Sequence, residues 1–133
     1  RREDMAERVR DITGGAGVPV VYDGVGRDTW AGSLDSLARF GLMVSFGNAS
    51  GAVPPIAPVE LSAKGSLYLT RPTVMHYTAA REDLTAGAGE LFEAIEDGTV
   101  SIEVNQVYPL ADAAQAHRDL EARKTTGSTI LLP

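Results

Sequence analysis

The chain predicts an α/β fold organised around a parallel sheet, on three observations. Residues 18–22, 42–46 and 66–70 are short, mostly apolar runs of the length and composition of buried parallel strands. Helical spacing fills the interval between the first two runs. Each run gives way to a turn of small and polar residues, and in open parallel sheets the carboxyl ends of strands are where ligands bind. Any function is therefore expected at those turns.

The elements follow in order. Met5, Val9 and Ile12 repeat at i, i+4, i+7, the buried stripe of a helix already under way, so the chain is expected to be a piece of a longer protein. Gly14, Gly15 and Gly17 come before a strand. A phosphate cradle needs the reverse order, so they read as a helix stop and turn with no cofactor role. After strand 18–22, the turn Asp23-Gly24-Val25-Gly26 leads into a helix with Asp28 as its cap, Trp30, Leu34, Leu37 and Ala38 on one face, and Gly41 as its stop. Strand 42–46 opens into a turn-rich loop over residues 47–55, where glycine lets a ligand approach the backbone closely. Residues 56–64 permit a short helical turn before strand 66–70, which ends at Arg71-Pro72.

The clearest helix spans 80–97, with Leu84, Ala88, Leu91, Phe92 and Ile95 aligned, Glu82 and Asp83 at its positive end and Gly98 as its stop. A strand at 100–108, a helix at 111–124 with Ala113, Ala116, His117 and Leu120 turned inward, and a strand at 128–132 complete the chain. Composition shifts near Gly98, which divides a three-strand unit from a strand, helix, strand tail. Three parallel strands leave an apolar edge unpaired, so another strand or another subunit is expected to cover it.

Composition narrows the function. Hydrophobic residues at 44%, charged residues at 23% and no apolar run near ~20 residues exclude disorder and a membrane-spanning helix. A net charge of -6 with scattered Lys and Arg argues against nucleic-acid binding. No cysteine is present and the two histidines lie far apart, which leaves no disulfide, no thiolate nucleophile and no metal set. Arg1-Arg2-Glu3-Asp4-Met5 has no signal-peptide core, and a cytoplasmic setting is expected. His117 reads as a core histidine, His76 as a loop residue, and the acidic pairs Glu82-Asp83 and Glu96-Asp97 as helix ends. Residues 47–51 lack the glycine spacing of a nucleophile elbow. Asp23-Gly24-Val25-Gly26 also has the order that opens the cofactor loop of adenosylmethionine-dependent methyltransferases, although Arg27-Asp28 stands where more glycine is usual.

Val21-Tyr22-Asp23-Gly24-Val25-Gly26-Arg27-Asp28-Thr29-Trp30 and Gly41-Leu42-Met43-Val44-Ser45-Phe46-Gly47-Asn48-Ala49-Ser50-Gly51 closely resemble bacterial NADPH:quinone oxidoreductases. The likeness continues through Lys64-Gly65-Ser66-Leu67-Tyr68-Leu69-Thr70-Arg71-Pro72, Tyr108-Pro109-Leu110-Ala111-Asp112-Ala113, Ala116-His117 and Thr126-Gly127-Ser128. These enzymes form the zinc-free, zeta-crystallin-like branch of the medium-chain dehydrogenase/reductase superfamily, and the match is to their carboxyl-terminal part.

The resemblance implies a partial Rossmann unit in residues 1–97, the second half of a dinucleotide-binding domain. It makes residues 98–133 a β-α-β tail returning to a GroES-like catalytic domain. It implies NADPH as cofactor, with Ser45, Phe46, Gly47 and Asn48 lining the nicotinamide side, Phe46 packing and Asn48 hydrogen bonding. Leu69, Thr70 and Arg71 would bring backbone to the carboxamide, and Gly24 would sit on the crest beside the ribose. Relatives often carry Ser at Gly24, so a hydroxyl contact is lost here, and Ser128, where many carry Lys, receives no role. Hydride transfer to a quinone would need positioning and no catalytic nucleophile. The resemblance also implies an active intact enzyme and, with the pyrophosphate-holding glycine loop outside the matched part, an inactive isolated piece; the exposed sheet edge predicts a homodimer. A non-catalytic oligomerising module is the competing class, and an adenosylmethionine-dependent methyltransferase a third.

Overall fold

The computed structural model describes residues 3–133; Arg1 and Arg2, part of the segment read as lacking a signal core, lie outside them. Contacts group the chain into two compact units, Arg1–Tyr77 and Thr78–Pro133. The division falls ahead of the long helix, whereas the composition shift falls after it.

In the first unit, helix α1 (Met5–Ile12) begins with Asp4, whose side chain accepts a hydrogen bond from the Glu7 N–H at 3.0 Å. The helix is capped here, not already under way. Its apolar stripe is not buried either: Ile12 is 70% exposed and Met5 43%, because α1 packs on little beyond α2 (Trp30–Asp35). Arg10 ties α1 down instead, donating to the carbonyls of Gly15, Asp35 and Leu37. Gly14 and Gly15 take positive φ, and the Gly15 N–H returns to the Arg10 carbonyl at 2.7 Å, the helix stop expected of them.

Strands β1 (Val18–Asp23), β2 (Leu37–Ser45) and β3 (Tyr68–Thr70) form a parallel sheet in the order β1-β2-β3. The helix between β1 and β2 is shorter than its periodicity suggests. It ends at Asp35, Asp28 does not cap it, and Leu37 to Gly41 belong to β2. The reason is tertiary. The Ser36 carbonyl receives the Val18 N–H at 2.9 Å, Leu37 pairs with Val18, and Leu42 already faces Val20. The intervening residues of β2 bulge out, with Phe40 at φ 63 and Gly41 so enclosed that a Cβ there would lie 2.8 Å from the Ala38 carbonyl. Sheet pairing thus overrides a helical repeat.

Trp30 and Leu34 from α2, Leu37 and Met43 from β2, and Leu67 make the core, with Val21, Val53, Ile56 and Leu61 packed around it. Each such side chain contributes roughly 1.5–3 kcal/mol when fully removed from water. Helix α3 (Pro58–Ala63) lies where a short turn was expected, and Lys64 pairs with Asp35. Helix α4 (Val74–Tyr77) ends the unit.

The second unit holds α5 (Arg81–Glu96), β4 (Val104–Pro109), a 3₁₀ turn (Leu110–Asp112), α6 (Ala113–Glu121) and β5 (Ser128–Leu132). Strands β4 and β5 pair in parallel, with Val107 opposite Ile130. Of the residues expected inward on α6 only Ala116 is buried; Leu120 is exposed, and His117 is an exposed residue, not a core one. The α5 stripe is likewise open, with Phe92 61% exposed. No helix among the described residues is long and apolar enough to cross a membrane.

Candidate functional site

At the carboxyl end of β1, Asp23 stands opposite Ser45 and is 3% exposed. Its Oδ1 accepts from the N–H groups of Val25 and Gly26 at 2.8 and 2.9 Å, and its Oδ2 from the hydroxyls of Thr29 and Ser33 at 2.7 Å each. Burial pushes this carboxyl up. The hydrogen bonds from Gly26, Ser33, Thr29 and Val25 outweigh it and hold the group below its ordinary value of 3.8. Asp23 is therefore a buried carboxylate at neutral pH, and it fixes the turn over 24–26 and the start of α2 together. That is why α2 lacks a side-chain cap: the Thr29 hydroxyl, at the cap position, is turned to Asp23.

The turns after β1 and β2 are zipped to each other beyond the end of the sheet. The Asp23 carbonyl accepts from the Phe46 and Gly47 N–H groups at 2.9 and 3.3 Å. Gly24 and Val25 carbonyls accept from Ala49 and Ser50, and the Arg27 N–H donates to Gly51 at 3.1 Å. The Ser50 hydroxyl adds a bond to the Val25 carbonyl and receives the Asp28 N–H. Close approach demands glycine: a Cβ at Gly47 would lie 2.2 Å from the Gly24 carbonyl oxygen, and one at Gly26, held at φ 91, would lie 2.7 Å from that of Gly51. The two turns form one braced platform.

Strand β3 stops one step earlier, with Thr70 opposite Val44. Arg71 then sends Nη1 to the Ser45 carbonyl at 2.8 Å, the Ser45 hydroxyl at 3.3 Å and the Gly47 carbonyl at 3.1 Å. Beside this brace opens a cleft of about 550 Å³ walled by Phe46, Arg71, Pro72, Thr73, Val74 and Tyr77.

The eight residues singled out from the sequence fall into three groups. Phe46 and Arg71 line the cleft. Gly24, Ser45 and Gly47 do not line it but belong to the hydrogen-bonded turns beside it, and Asn48 is exposed on the loop beyond. Leu69 and Thr70 are exposed on β3 and are not among the lining residues. Arg71, expected to offer backbone, also carries its guanidinium to Ser45 and Gly47. Missed altogether were the hydroxyls of Thr29 and Ser33 on Asp23, and the cleft wall formed by Thr73, Val74 and Tyr77. An acid at a strand end followed by hydroxyl residues on the next helix was the available signal for the first; α4 is too short to leave one.

A sequence profile of the zinc-binding dehydrogenase family matches residues 1–131. The chain belongs to that family. It is 56% identical over 131 residues to a quinone oxidoreductase of Pseudomonas aeruginosa, aligned over 98% of this chain and 40% of that protein. The crystal structure of Escherichia coli quinone oxidoreductase complexed with NADPH superposes with a TM-score of 0.93 at 54% identity, over all of this chain and 41% of that one. A 2-haloacrylate reductase from a Burkholderia species is 46% identical over 98% of this chain and 40% of its own length. The chain thus spans about two fifths of the relatives it matches, and the resemblance read from the sequence is borne out, as is the α/β parallel fold. As to the metal in the family's description, among the described residues no three His, Cys, Asp or Glu side chains come together to hold an ion, and the sequence has no cysteine. The residues present do not fit a zinc site.

Proposed function

We propose that this chain is the carboxyl-terminal part of an NADPH-dependent reductase that delivers hydride to a quinone. Residues 1–97 would complete the dinucleotide-binding domain and residues 98–133 return to a neighbouring catalytic domain. The observation that carries the reading is the meeting of the β2 and β3 strand ends at one cleft, with Phe46 and Arg71 in its wall and the β1 turn bonded to the β2 turn beside it. Glycine at 24 and 47 lets the two turns and the Phe46 ring pack with no side chain between them, which holds the backbone beside the cleft in place.

The bound cofactor supplies the hydride; the chain supplies position. Phe46 would pack beside the nicotinamide, Asn48 hydrogen bond to it, and Gly24 lie beside the ribose. Arg71, by bracing Ser45 and Gly47, fixes the backbone that Leu69, Thr70 and Arg71 would offer to the carboxamide. No nucleophile is needed, since holding two rings in contact is itself the catalytic contribution. The outer edge of β3 is unpaired among the described residues and would form the homodimer contact.

Fluorescence titration of the natural full-length protein with NADPH, followed by stopped-flow mixing with a quinone, tests the reading. Saturable binding and quinone-dependent loss of NADPH absorbance are expected, with the isolated 133-residue chain binding far more weakly. Stabilisation by adenosylmethionine in place of NADPH would overturn it.

A further inference from the structure

The Asp23 carboxylate touches nothing in the cleft wall, yet the turn it shapes carries the turn after β2. Its Oδ1 is given wholly to the β1 turn, taking the N–H groups of Val25 and Gly26, while Oδ2 takes the two hydroxyls of Thr29 and Ser33. The Asp23 carbonyl accepts from Phe46 and Gly47, and the carbonyls of Gly24 and Val25 accept from Ala49 and Ser50. Asn48 is thus gripped on both sides, at Gly47 by the Asp23 carbonyl and at Ala49 by that of Gly24. Opposite Asp23 in the sheet stands Ser45, whose carbonyl and hydroxyl meet Arg71 from the β3 side. The β2 turn is therefore held between two anchors, and of these only Arg71 lines the cleft. Four donors around one enclosed carboxylate leave it a single position, so its geometry is what passes to the neighbouring turn.

We propose that Asp23 is a positioning residue for hydride transfer: by fixing the turn over 24–26, it holds Phe46 and Asn48 where the nicotinamide would be presented to its acceptor. The proposal rests on the reductase reading and deepens it. What it adds is a residue that acts only through its neighbours, and whose shape matters more than its charge. Misplacing bound rings by about 1 Å can cost on the order of a hundredfold in rate, so a shifted turn is expected to show in the chemical step.

The experiment uses the natural full-length protein with Asp23→Ala, Asp23→Glu, Asp23→Asn and Leu37→Ala, each loaded with saturating NADPH and mixed with 1,4-benzoquinone in a single-turnover stopped-flow assay. The rate constant reports positioning, whereas the amplitude reports the fraction of folded, loaded molecules. Asp23→Ala removes the acceptors, and Asp23→Glu keeps the charge but adds a methylene to an enclosed site, so both should lower the rate constant roughly tenfold or more. Asp23→Asn loses the charge but keeps an oxygen for the two N–H groups and an amide for the two hydroxyls, and should stay within about threefold. Leu37→Ala opens the core at the far end of β2, and should lower the amplitude or the melting temperature with the rate constant unchanged. Should Asp23→Ala not fold, the Glu and Asn variants decide alone. An unchanged rate constant in Asp23→Glu, a loss in Asp23→Asn as large as in Asp23→Glu, or an equal loss in Leu37→Ala overturns the proposal. Failure of the unsubstituted protein to bind NADPH or reduce the quinone would instead overturn the functional reading.

Discussion

In Arg1–Tyr77, Leu34, Leu37 and Met43 are at most 1% exposed, while in Thr78–Pro133 the buried hydrophobic side chains reduce, among the described residues, to Ala116. Both units are parallel strands joined by a helix, and both sequences carry apolar stripes of the expected period. The difference is geometric. In the first unit α2 lies against β1 and β2, and Leu67 and the partly buried Leu61 complete the cover. In the second, a two-stranded sheet and one crossover helix offer too little surface to enclose Val107, Leu120 or Leu132. An apolar stripe states which residues seek burial. It does not state what buries them.

The sharpest way to break this comparison is a matched pair of truncations in the 133-residue chain. Leu34→Ala should cost about 3–4 kcal/mol in urea denaturation, as removal of an enclosed side chain leaves a cavity. Leu131→Ala, at a residue 38% exposed, should cost less than about 1 kcal/mol. Equal costs would mean that the second unit has a core of its own.

That contrast also explains what was legible in the sequence. Element type and order were readable almost throughout, because the runs at 18–22, 42–46 and 128–132 are bounded by glycine and polar residues. Burial was readable only where a partner lies within the chain. The stripe of α1 and the inward face of α6 were placed correctly on helices and wrongly in a core. The end of α2 was misread for another reason: Leu37 fits a helical repeat, yet the Val18 pairing holds it in a strand, and a pairing between distant residues leaves no local trace. At the site, Asp23, Gly24 and Phe46 were visible as a strand-end motif. Their coupling was not, since it depends on the two turns lying side by side.

The order of the first unit's site is set by one charge, which gives a second test. Asp23→Ala strands the N–H groups of Val25 and Gly26 and the hydroxyls of Thr29 and Ser33, and should cost about 3 kcal/mol at neutral pH. The sign of its pH dependence follows from the lowered carboxyl. A group held below its ordinary 3.8 in the folded state contributes fully above that value, and the contribution is lost as pH falls through the lower, folded one. The gap between the unsubstituted chain and Asp23→Ala should therefore be constant from neutral pH down to the upper edge of that window and shrink below it. A gap that widened with acid would mean that the carboxyl is raised in the folded chain.

The smallest effect belongs to the second unit and sharpens the comparison from its open side. Gly87 and Gly89 lie inside α5, at helical conformation with no positive φ, and a Cβ at either would meet nothing within 4 Å. Glycine there loses backbone freedom on folding and contributes no packing in return. Gly87→Ala should accordingly raise the helical signal by circular dichroism and add roughly 0.5–1 kcal/mol to the stability of α5. At Gly24, where the same substitution meets the Phe46 ring, no such gain is expected, because the added methyl must displace a neighbour before it can stabilise anything. One chemical change thus separates a helix whose surroundings are empty from a turn whose surroundings are filled. A loss of stability at Gly87 would mean that α5 is already covered on that face.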